Sequence, residues 1–304
     1  MTQFLQDLAK YTKEEIDTFL GSFDTILTDG DGVLWYLHEP MSGSIEAINR
    51  LKALGKKVFL VSNNSALTLD DYVAKVKSLK LNLEKDEIII PSTVSSNYLK
   101  EHNFKKKAFI IGTQAVIKEF ESNGINCSSD IGPDYAIEDL NGFKAELGKI
   151  DKDVGAVIVD FDLNVNYVKM TKALIHLKKP DCHFVVGAID IQVPIMKNFN
   201  LLGPGGFISM LETVSGCKAI VTGKPSEMIK DFIAKRHPID PERTIMIGDM
   251  LDSDIRLGTN CGFQKLLVLS GISTLEDANR EDSSNLPHYY IRSLEDLLPL
   301  LPTS

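Results

Sequence analysis

Short apolar runs alternate along the chain with longer segments in which apolar residues recur every three or four positions. Residues 25–29 and 57–61 are β-rich runs. Residues 44–54 between them have helical spacing and end at Gly55, a residue typical of helix ends. A strand, a helix and a strand in this order predict a βαβ unit of a parallel sheet, with both faces of the sheet covered.

The same alternation returns in the last third of the chain. Residues 218–222, 243–247 and 265–269 predict three further strands, with helices expected at 226–236 and up to residue 257. Four of the predicted strands end in polar turns rich in Gly or Asn. In doubly wound sheets, sites form at the carboxyl ends of the strands, so these four turns can converge on one crevice.

The segment between these regions has a strand and helix alternation of its own. Its predicted strands are 108–111, 156–159 and 183–186, with helices near 114–123 and 167–177. A segment of more than about 100 residues is large enough for a separate domain. We therefore predict an α/β fold with a doubly wound, mainly parallel, Rossmann-like core sheet and an inserted second domain. The predicted boundaries are 1–103 and 217–304 for the core and 104–216 for the insertion.

Composition argues against several classes of protein. The 304 residues include 42 acidic and 33 basic side chains, for a net charge of −9. This balance disfavours a nucleic-acid partner, which selects a basic face. No apolar stretch approaches the ~20 residues of a membrane span, and we expect no secretory signal. The four cysteines are far apart and lack zinc spacing, so we expect reduced thiols in a cytoplasmic protein.

The strongest chemical signal is Asp29-Gly30-Asp31-Gly32, directly after the first predicted strand. The two glycines let the backbone turn so that both carboxylates face one pocket. Two ionised carboxylates repel each other, so such a pair indicates a bound cation or a shared proton. A plain turn explains Asp-Gly pairs equally well. A calcium loop of the EF-hand type is excluded because its third acidic position falls on Val33.

A second acidic group follows the predicted strand at 243–247. Asp249, Asp252 and Asp254 offer oxygen ligands for a hard divalent cation. Mg²⁺ often needs only one or two carboxylates besides substrate oxygens. Acids at the start of a helix also complement the helix dipole, which explains Asp252 at least as well as a ligand role does. Asp249 precedes the expected helix and is the better candidate ligand.

Two further turns carry groups suited to anions. Lys224 lies between Gly223 and Pro225 at a strand end, where it can pair with phosphate oxygens and offset carboxylate repulsion. Taken alone, a solvated lysine is the commoner case. The Ser-Asn-Asn-Ser turn at 62–65 offers hydroxyl, amide and backbone N–H groups for an anion at a helix start. An ordinary helix cap explains the same turn.

In order and setting, the four turns resemble the motifs of the haloacid dehalogenase (HAD) superfamily of Mg²⁺-dependent phosphohydrolases. Those motifs are Asp-x-Asp-Gly, then Ser or Thr, then Lys, then Gly-Asp with a later Asp. The sequences at 31–35, 61–65 and 248–254 are similar to the 4-nitrophenylphosphatase-like subgroup. This subgroup includes phosphoglycolate (glycerol-3-phosphate) phosphatase and pyridoxal phosphate phosphatase. The resemblance implies that segment 104–216 is a C2-type α/β cap.

The resemblance further implies a two-step phosphoryl transfer. Asp29 would attack phosphorus and form an aspartyl-phosphate, and Asp31 would protonate the leaving oxygen and then activate the hydrolytic water. The implied cofactor is Mg²⁺, bound by Asp29, Asp249 and Asp31, the last through its backbone carbonyl. Asp254 would steady both the water shell of the metal and the side chain of Lys224.

The substrate contacts also come from the resemblance. The phosphoryl oxygens would be bound by the polar residues of the second turn and by the lysine of the third, namely Ser62, Asn63, Asn64 and Lys224. Asp190 of the cap would contact the remainder of a small phosphorylated metabolite. The family pattern also implies a homodimer formed through the cap.

Two cap elements depart from the family pattern. Where relatives carry Thr-Asn-x-Asp, residues 187–190 read Gly-Ala-Ile-Asp, and Ala188 cannot offer an amide. Where relatives carry Gly-Thr-Gly, residues 203–205 read Gly-Pro-Gly around Pro204, and we expect a tight hinge that returns from cap to core. The choice among phosphoglycolate, glycerol 3-phosphate, pyridoxal phosphate and 4-nitrophenyl phosphate stays open.

Three other activities are compatible with the fold class. A dehalogenase, which attacks carbon, would have little use for Asp31 or for a metal at Asp249. A protein phosphatase of this fold would need an open cleft, whereas the long insertion predicts a covered one. A catalytically silent metabolite-binding protein would typically have lost Asp29, Asp31 or Lys224, all of which are present. The altered cap keeps this last class open.

Overall fold

The computed structural model describes residues 5–129, 137, 139–196, 199–280 and 285–302, and the chain divides into two compact units. The first unit consists of residues 1–62, 69–89 and 224–304, and the second of residues 63–68 and 90–223. In both units, parallel strands alternate with helices along the chain. The predicted α/β class is confirmed.

The first unit contains a seven-stranded sheet whose neighbouring strands are all parallel. Its strands are β1 (Gln6–Asp7), β2 (Thr25–Thr28), β5 (Lys57–Val61), β6 (Ile88–Ile89), β13 (Thr244–Gly248), β14 (Gln264–Val268) and β15 (Tyr289–Ile291), in the order β1-β15-β14-β13-β2-β5-β6. Every residue of β2 and β13 is buried, as expected of central parallel strands covered on both faces. A short antiparallel hairpin, β3 (Trp35–Tyr36) and β4 (Glu39–Pro40), follows β2.

The α-helices of the first unit, in the part of the chain that the structure describes, are α1 (Lys13–Gly21), α2 (Ser44–Ala53), α3 (Leu69–Ser78), α9 (Met228–Ala234), α10 (Arg256–Cys261) and α11 (Leu275–Arg280). A π-helical turn, Leu251–Ile255, leads directly into α10. The predicted helix after β13 therefore ends at Cys261 and not at residue 257. Gly262, which follows α10, has a left-handed φ of 73°, and such a glycine commonly ends a helix.

The second unit contains a four-stranded parallel sheet in the order β12-β9-β8-β7. These strands are β7 (Lys107–Ile111), β8 (Val154–Val159), β9 (His183–Val186) and β12 (Ile220–Val221), and an antiparallel hairpin joins β10 (Gln192–Met196) to β11 (Phe199–Leu202). Its helices are α4 (Pro91–Glu101), α5 (Gln114–Ser122), α6 (Leu140–Leu147), α7 (Tyr167–Leu177) and α8 (Pro204–Ser215).

Two apolar clusters cover the two faces of the second sheet. Val157 belongs to one cluster and its neighbour Ile158 to the other. This division follows from the pleat of β8, because successive side chains of a strand point to opposite faces. All six residues of β8 are buried, so its unbroken apolar run is explained by helices on both sides.

The strand before Lys224 differs from the expectation. Only Ile220 and Val221 are extended, and they pair with Val185 and Val186 of the second sheet. Both residues are half-buried at the edge of that sheet. The apolar run at 218–222 predicted a strand but carried no information about which sheet it joins, because that depends on pairing with a distant segment.

None of the described helices combines the length and the apolar composition that a membrane-spanning helix requires.

Candidate active site

Three predicted site residues follow the carboxyl ends of three adjacent strands in the first unit. Asp29 follows β2, Ser62 follows β5 and Asp249 follows β13, and β2 lies between the other two strands. Because the strands are parallel and in register, their carboxyl ends lie at one edge of the sheet. This edge is where open α/β sheets place their ligands.

Lys224 is the buried cation of this edge. Its side chain is 2 % exposed, and its Nζ atom lies 2.8 Å from Asp29 Oδ1 and 2.8 Å from Asp254 Oδ1. Burial alone would lower the pKa of Lys224, but Asp254 and Asp29 outweigh burial and raise that pKa above its ordinary value. Lys224 is therefore a fixed positive charge and not the solvated lysine that the sequence alone also allowed.

Asp254 is held on both of its carboxylate oxygens. Oδ1 pairs with Lys224, while Oδ2 accepts hydrogen bonds from the backbone N–H of Asp249 at 3.2 Å and of Met250 at 3.1 Å. The side chain packs directly against the backbone of Gly248, where a Cβ atom would lie 2.1 Å from Asp254 Cβ. These contacts tie the lysine to the turn that carries Asp249, which suits a supporting role for Asp254.

Asp249 lies in a pocket formed by glycine backbones. Its Oδ2 atom accepts a hydrogen bond of 2.9 Å from the backbone N–H of Ile272. A Cβ atom on Gly271 would lie 1.8 Å from this oxygen, and one on Gly32 would lie 2.5 Å from it. Gly32 also has a left-handed φ of 83°, so glycine is needed there for both conformation and space. The orientation of the Asp249 carboxylate thus depends on the absence of side chains at Gly32 and Gly271.

The donor set fits a hard divalent cation. Carboxylate oxygens of Asp29, Asp249 and Asp254 all lie within 4.8 Å of one another. Burial, together with the charges of Asp254 and Asp29, raises the pKa of Asp249 well above its ordinary value. Burial likewise raises the pKa of Asp254, although Lys224 opposes the shift. One lysine therefore leaves negative charge uncompensated here, and oxygen ligands of this kind suit Mg²⁺ or Ca²⁺.

Asp31 lies in the turn between β2 and the hairpin. Backbone hydrogen bonds from Leu34 and Trp35 to the carbonyl of Gly30 close this turn, and Gly32 N–H donates to the carbonyl of Trp35. A Cβ atom on Gly30 would lie 2.5 Å from the Trp35 ring, so the buried indole sets the path of the turn. The Nζ atom of Lys75, on α3, lies over this indole, 4.0 Å from the ring centroid.

Ser62 has a partner that the sequence analysis did not identify. The hydroxyl of Tyr72, on α3, lies 2.9 Å from Ser62 Oγ, and both side chains are buried. In the sequence, Tyr72 and Val76 share one apolar helix face, so Tyr72 has the pattern of a core residue. Only the fold shows that its hydroxyl reaches the strand end.

The remaining predicted contacts lie in the second unit. Asn63 donates from Nδ2 to Asp190 Oδ2 at 3.1 Å. Asn64 is exposed, and its Oδ1 accepts the backbone N–H of Ala66, as in a local turn. Ser65 donates to the buried carboxylate of Asp160 at 2.5 Å. The second turn thus divides into Ser62, which belongs to the first unit, and residues 63–65, which belong to the second unit.

The two segments that depart from the family pattern, residues 187–190 and 203–205, contact each other. Cβ atoms on Gly203 and Gly205 would lie 2.0 Å from the Asp190 carbonyl oxygen and 2.3 Å from the Ile189 carbonyl oxygen. Pro204 is the first residue of α8, and the whole element lies inside the second unit. The expected hinge between the domains is therefore wrong. The glycines instead allow the close approach of two backbones within one unit, next to the buried Ala188.

A family model described as haloacid dehalogenase-like hydrolase matches residues 26–126, and a second HAD-hydrolase-like model matches residues 221–297. The chain is 33 % identical to glycerol-3-phosphate phosphatase of Rattus norvegicus, over 96 % of this chain and 95 % of that protein. The chain belongs to the haloacid dehalogenase-like hydrolases. The two matched regions carry the four turns described above.

Further relatives place the chain within this superfamily. It is 31 % identical to the chloroplastic phosphoglycolate phosphatase 1A of Arabidopsis thaliana, over 96 % of this chain and 81 % of that protein. The solved structure of 4-nitrophenylphosphatase from Thermotoga maritima matches with a TM-score of 0.77 and 25 % identity, over 93 % of this chain and 99 % of that chain. The predicted HAD superfamily, its 4-nitrophenylphosphatase-like subgroup and the assignment as a phosphatase are confirmed.

Proposed function

We propose that this HAD phosphatase is a Mg²⁺-dependent hydrolase of small phosphomonoesters that acts through an aspartyl-phosphate on Asp29. The observation that carries the proposal is the grouping of Asp29, Asp249 and Asp254 around one lysine. Asp29 Oδ1 is held 2.8 Å from Lys224 Nζ, with the three carboxylates within 4.8 Å of one another. A phosphate dianion cannot easily approach an aspartate unless positive charge is present, and this arrangement supplies it.

The residues that would hold Mg²⁺ are Asp29 and Asp249 through their carboxylates and Asp31 through its backbone carbonyl. When bound, the ion would neutralise phosphoryl charge and orient the phosphoryl group. Asp254 would support the site without binding Mg²⁺ through its carboxylate, because both of its oxygens are engaged by Lys224 and by backbone N–H groups. It would keep the lysine and the Asp249 turn in fixed relative positions.

Asp29 and Asp31 divide the chemistry between them. The Asp29 carboxylate forms a bond to phosphorus as the ester oxygen leaves, and Asp31 gives that oxygen its proton. Asp31 then takes a proton from the water that attacks the aspartyl-phosphate, so inorganic phosphate leaves and Asp29 is restored. The left-handed turn at Gly32 lets the backbone reverse after Asp31, as two carboxylates in one short turn require.

The substrate would be bound by polar residues of the second turn, by the lysine of the third turn and by one aspartate of the second unit. Ser62, Asn63, Asn64 and Lys224 are the proposed phosphoryl contacts, and Asp190 is the proposed contact for the remainder of the molecule. The bond between Asn63 and Asp190 supports a link between phosphate binding and substrate selection. The names of the relatives support phosphoglycolate, glycerol 3-phosphate or 4-nitrophenyl phosphate as first substrates to test.

The second unit is the proposed cap, and we propose that it also forms a homodimer contact. Exposed apolar side chains on this unit support such a contact, among them Leu202, Met210 and Val214. Sedimentation of the purified protein tests the dimer, and a single monomeric species at micromolar concentration would contradict it.

The location we propose is the cytoplasm. The four cysteine thiols form no disulfide bond, which fits a reducing compartment of this kind.

The test of the function is phosphate release from 4-nitrophenyl phosphate, phosphoglycolate and glycerol 3-phosphate, with Mg²⁺ and with EDTA. We expect turnover that needs Mg²⁺ and is lost in Asp29→Asn. Asp252→Asn is the matched control, because the Asp252 side chain is 85 % exposed and pairs with Arg256. Full activity in Asp29→Asn would contradict the mechanism. No turnover by the folded wild-type protein on any of these esters would favour a silent metabolite-binding protein.

A further inference from the structure

Helix α3 brings a buried phenol to the strand end that carries Ser62. Tyr72 has no exposed surface, and its hydroxyl oxygen lies 2.9 Å from Ser62 Oγ. The charges of Asp31, Asp29 and Lys224 all act on this phenol. Tyr72 is therefore part of the electrostatic environment of the candidate site, although it lies on a helix that carries none of the four motifs.

The hydrogen bond between two hydroxyl groups can run in either direction, and the site chemistry selects one of them. Ser62 has a single proton. If that proton is donated to a phosphoryl oxygen, Ser62 Oγ can only accept from Tyr72. Burial and the charge of Asp31 raise the pKa of Tyr72, so the phenol keeps the proton that this direction requires.

We propose that Tyr72 is a positioning residue for phosphoryl transfer, whose hydroxyl donates to Ser62 Oγ and so directs the serine proton toward the phosphoryl group. This inference rests on the proposed function, because it assumes that Ser62 contacts phosphate. A serine hydroxyl can otherwise rotate among three staggered positions. The bond from Tyr72 selects the orientation that serves the substrate before the substrate arrives.

A packing role alone would not need the phenol oxygen. Val76 lies one turn further along α3 on the same buried face and is apolar, and a phenylalanine ring would fill the space of the tyrosine ring. A buried hydroxyl is unfavourable unless it is hydrogen-bonded, and the bond to Ser62 gives the Tyr72 hydroxyl a buried partner. The variant Tyr72→Phe removes the hydroxyl and keeps the ring.

The experiment is a double-mutant cycle with Tyr72→Phe and Ser62→Ala, measured by kcat and KM on 4-nitrophenyl phosphate and by inhibition with inorganic phosphate. Loss of one hydrogen bond typically changes an equilibrium or rate by about twofold to tenfold. We expect that loss in kcat/KM for Tyr72→Phe, together with weaker inhibition by phosphate. We expect no further loss when Tyr72→Phe is added to Ser62→Ala, because the serine through which Tyr72 acts is then absent.

The outcomes separate this inference from the proposed function. If Ser62→Ala itself leaves kcat/KM and phosphate inhibition unchanged, the phosphate-binding role of Ser62 is wrong. If Ser62→Ala lowers activity but Tyr72→Phe does not, or if the two losses multiply, only the role of Tyr72 is wrong. Tyr98→Phe is the control, because the Tyr98 hydroxyl bonds His183 in the second unit, and its kcat/KM should equal that of the wild type.

Discussion

Gly271 is the position where one added methyl group most directly tests the geometry of the site. The Cβ atom of an alanine would lie 1.8 Å from Asp249 Oδ2 and 2.4 Å from Asp249 Cγ. Ordinary contact begins near 3.4 Å, so the carboxylate would have to move by about 1.6 Å. The backbone of Gly271 is not left-handed, and the three atoms nearest to the added Cβ all belong to Asp249, so the clash with this side chain is the main perturbation.

The expected consequence of Gly271→Ala is a displaced Asp249 carboxylate, which is a proposed Mg²⁺ ligand. Asp249 cannot move by this distance and keep both its bond to the Ile272 N–H and its place beside Asp29. A misplacement of about 1 Å in a catalytic group can reduce the rate about 100-fold. We expect a loss of that order in kcat/KM and a higher Mg²⁺ concentration for half-maximal activity. Overpacking of this kind also lowers the free energy of unfolding by about 1–3 kcal/mol.

The assay is phosphate release at a series of Mg²⁺ concentrations, with thermal unfolding measured in parallel. Gly21→Ala is the matched control, because a Cβ atom on Gly21 would meet nothing within 4 Å and the residue lies in the same unit. Gly21→Ala should keep wild-type activity. A folded Gly271→Ala protein with wild-type kcat/KM and Mg²⁺ dependence would refute the assignment of Asp249 as a ligand.

Three further predictions concern single side chains. Asp254→Asn should lower kcat/KM by about 10–100-fold, as loss of a supporting carboxylate beside a metal ligand does, while the exposed Asp252→Asn should not; equal effects would contradict the supporting role. Lys224→Met removes the cation between Asp29 and Asp254 and should lower the free energy of unfolding in urea with EDTA by about 3–5 kcal/mol; unchanged stability would show that the pair is not buried. Burial raises the pKa of Asp160 from 3.8 to about 6. The stability that this group contributes is therefore fully present below about pH 4 and is lost as the pH rises through about 6. The total loss in the free energy of unfolding is about 3 kcal/mol. Asp160→Asn keeps an acceptor for Ser65, so its Tm should rise relative to wild type from pH 4 to pH 7, and a constant difference would contradict the shifted pKa.

The strand-end residues were predictable because their signal is local. Asp29 and Asp249 each follow an apolar run that is long enough for one buried strand, and a glycine stands next to each. Parallel strands place such turns at one edge of the sheet, so sequence order alone indicated which residues meet. The same argument reached Ser62, which follows the strand beside that of Asp29.

Features that depend on contacts between distant segments were not predictable. The two-residue strand before Lys224 joins the second sheet through Val185 and Val186, and its own sequence does not specify that partner. Tyr72 has the spacing of a core residue, and only the fold brings its hydroxyl to Ser62. Gly271 matters for the side chain that it lacks, because its backbone lies against Asp249, which follows another strand, and a lone glycine in a turn carries no sign of this.

We expect Asp29 to become phosphorylated during turnover. The most direct measurement is rapid quenching of the enzyme with 4-nitrophenyl phosphate and Mg²⁺, reduction of acyl phosphates with borohydride, and peptide mass spectrometry. Asp31→Asn should increase the trapped fraction, because it slows attack by water, while 4-nitrophenolate leaves without needing a proton. We predict that borohydride reduces Asp29 to homoserine only when substrate is present. Substrate-dependent modification of a different residue, or none in either protein during active turnover, would contradict it.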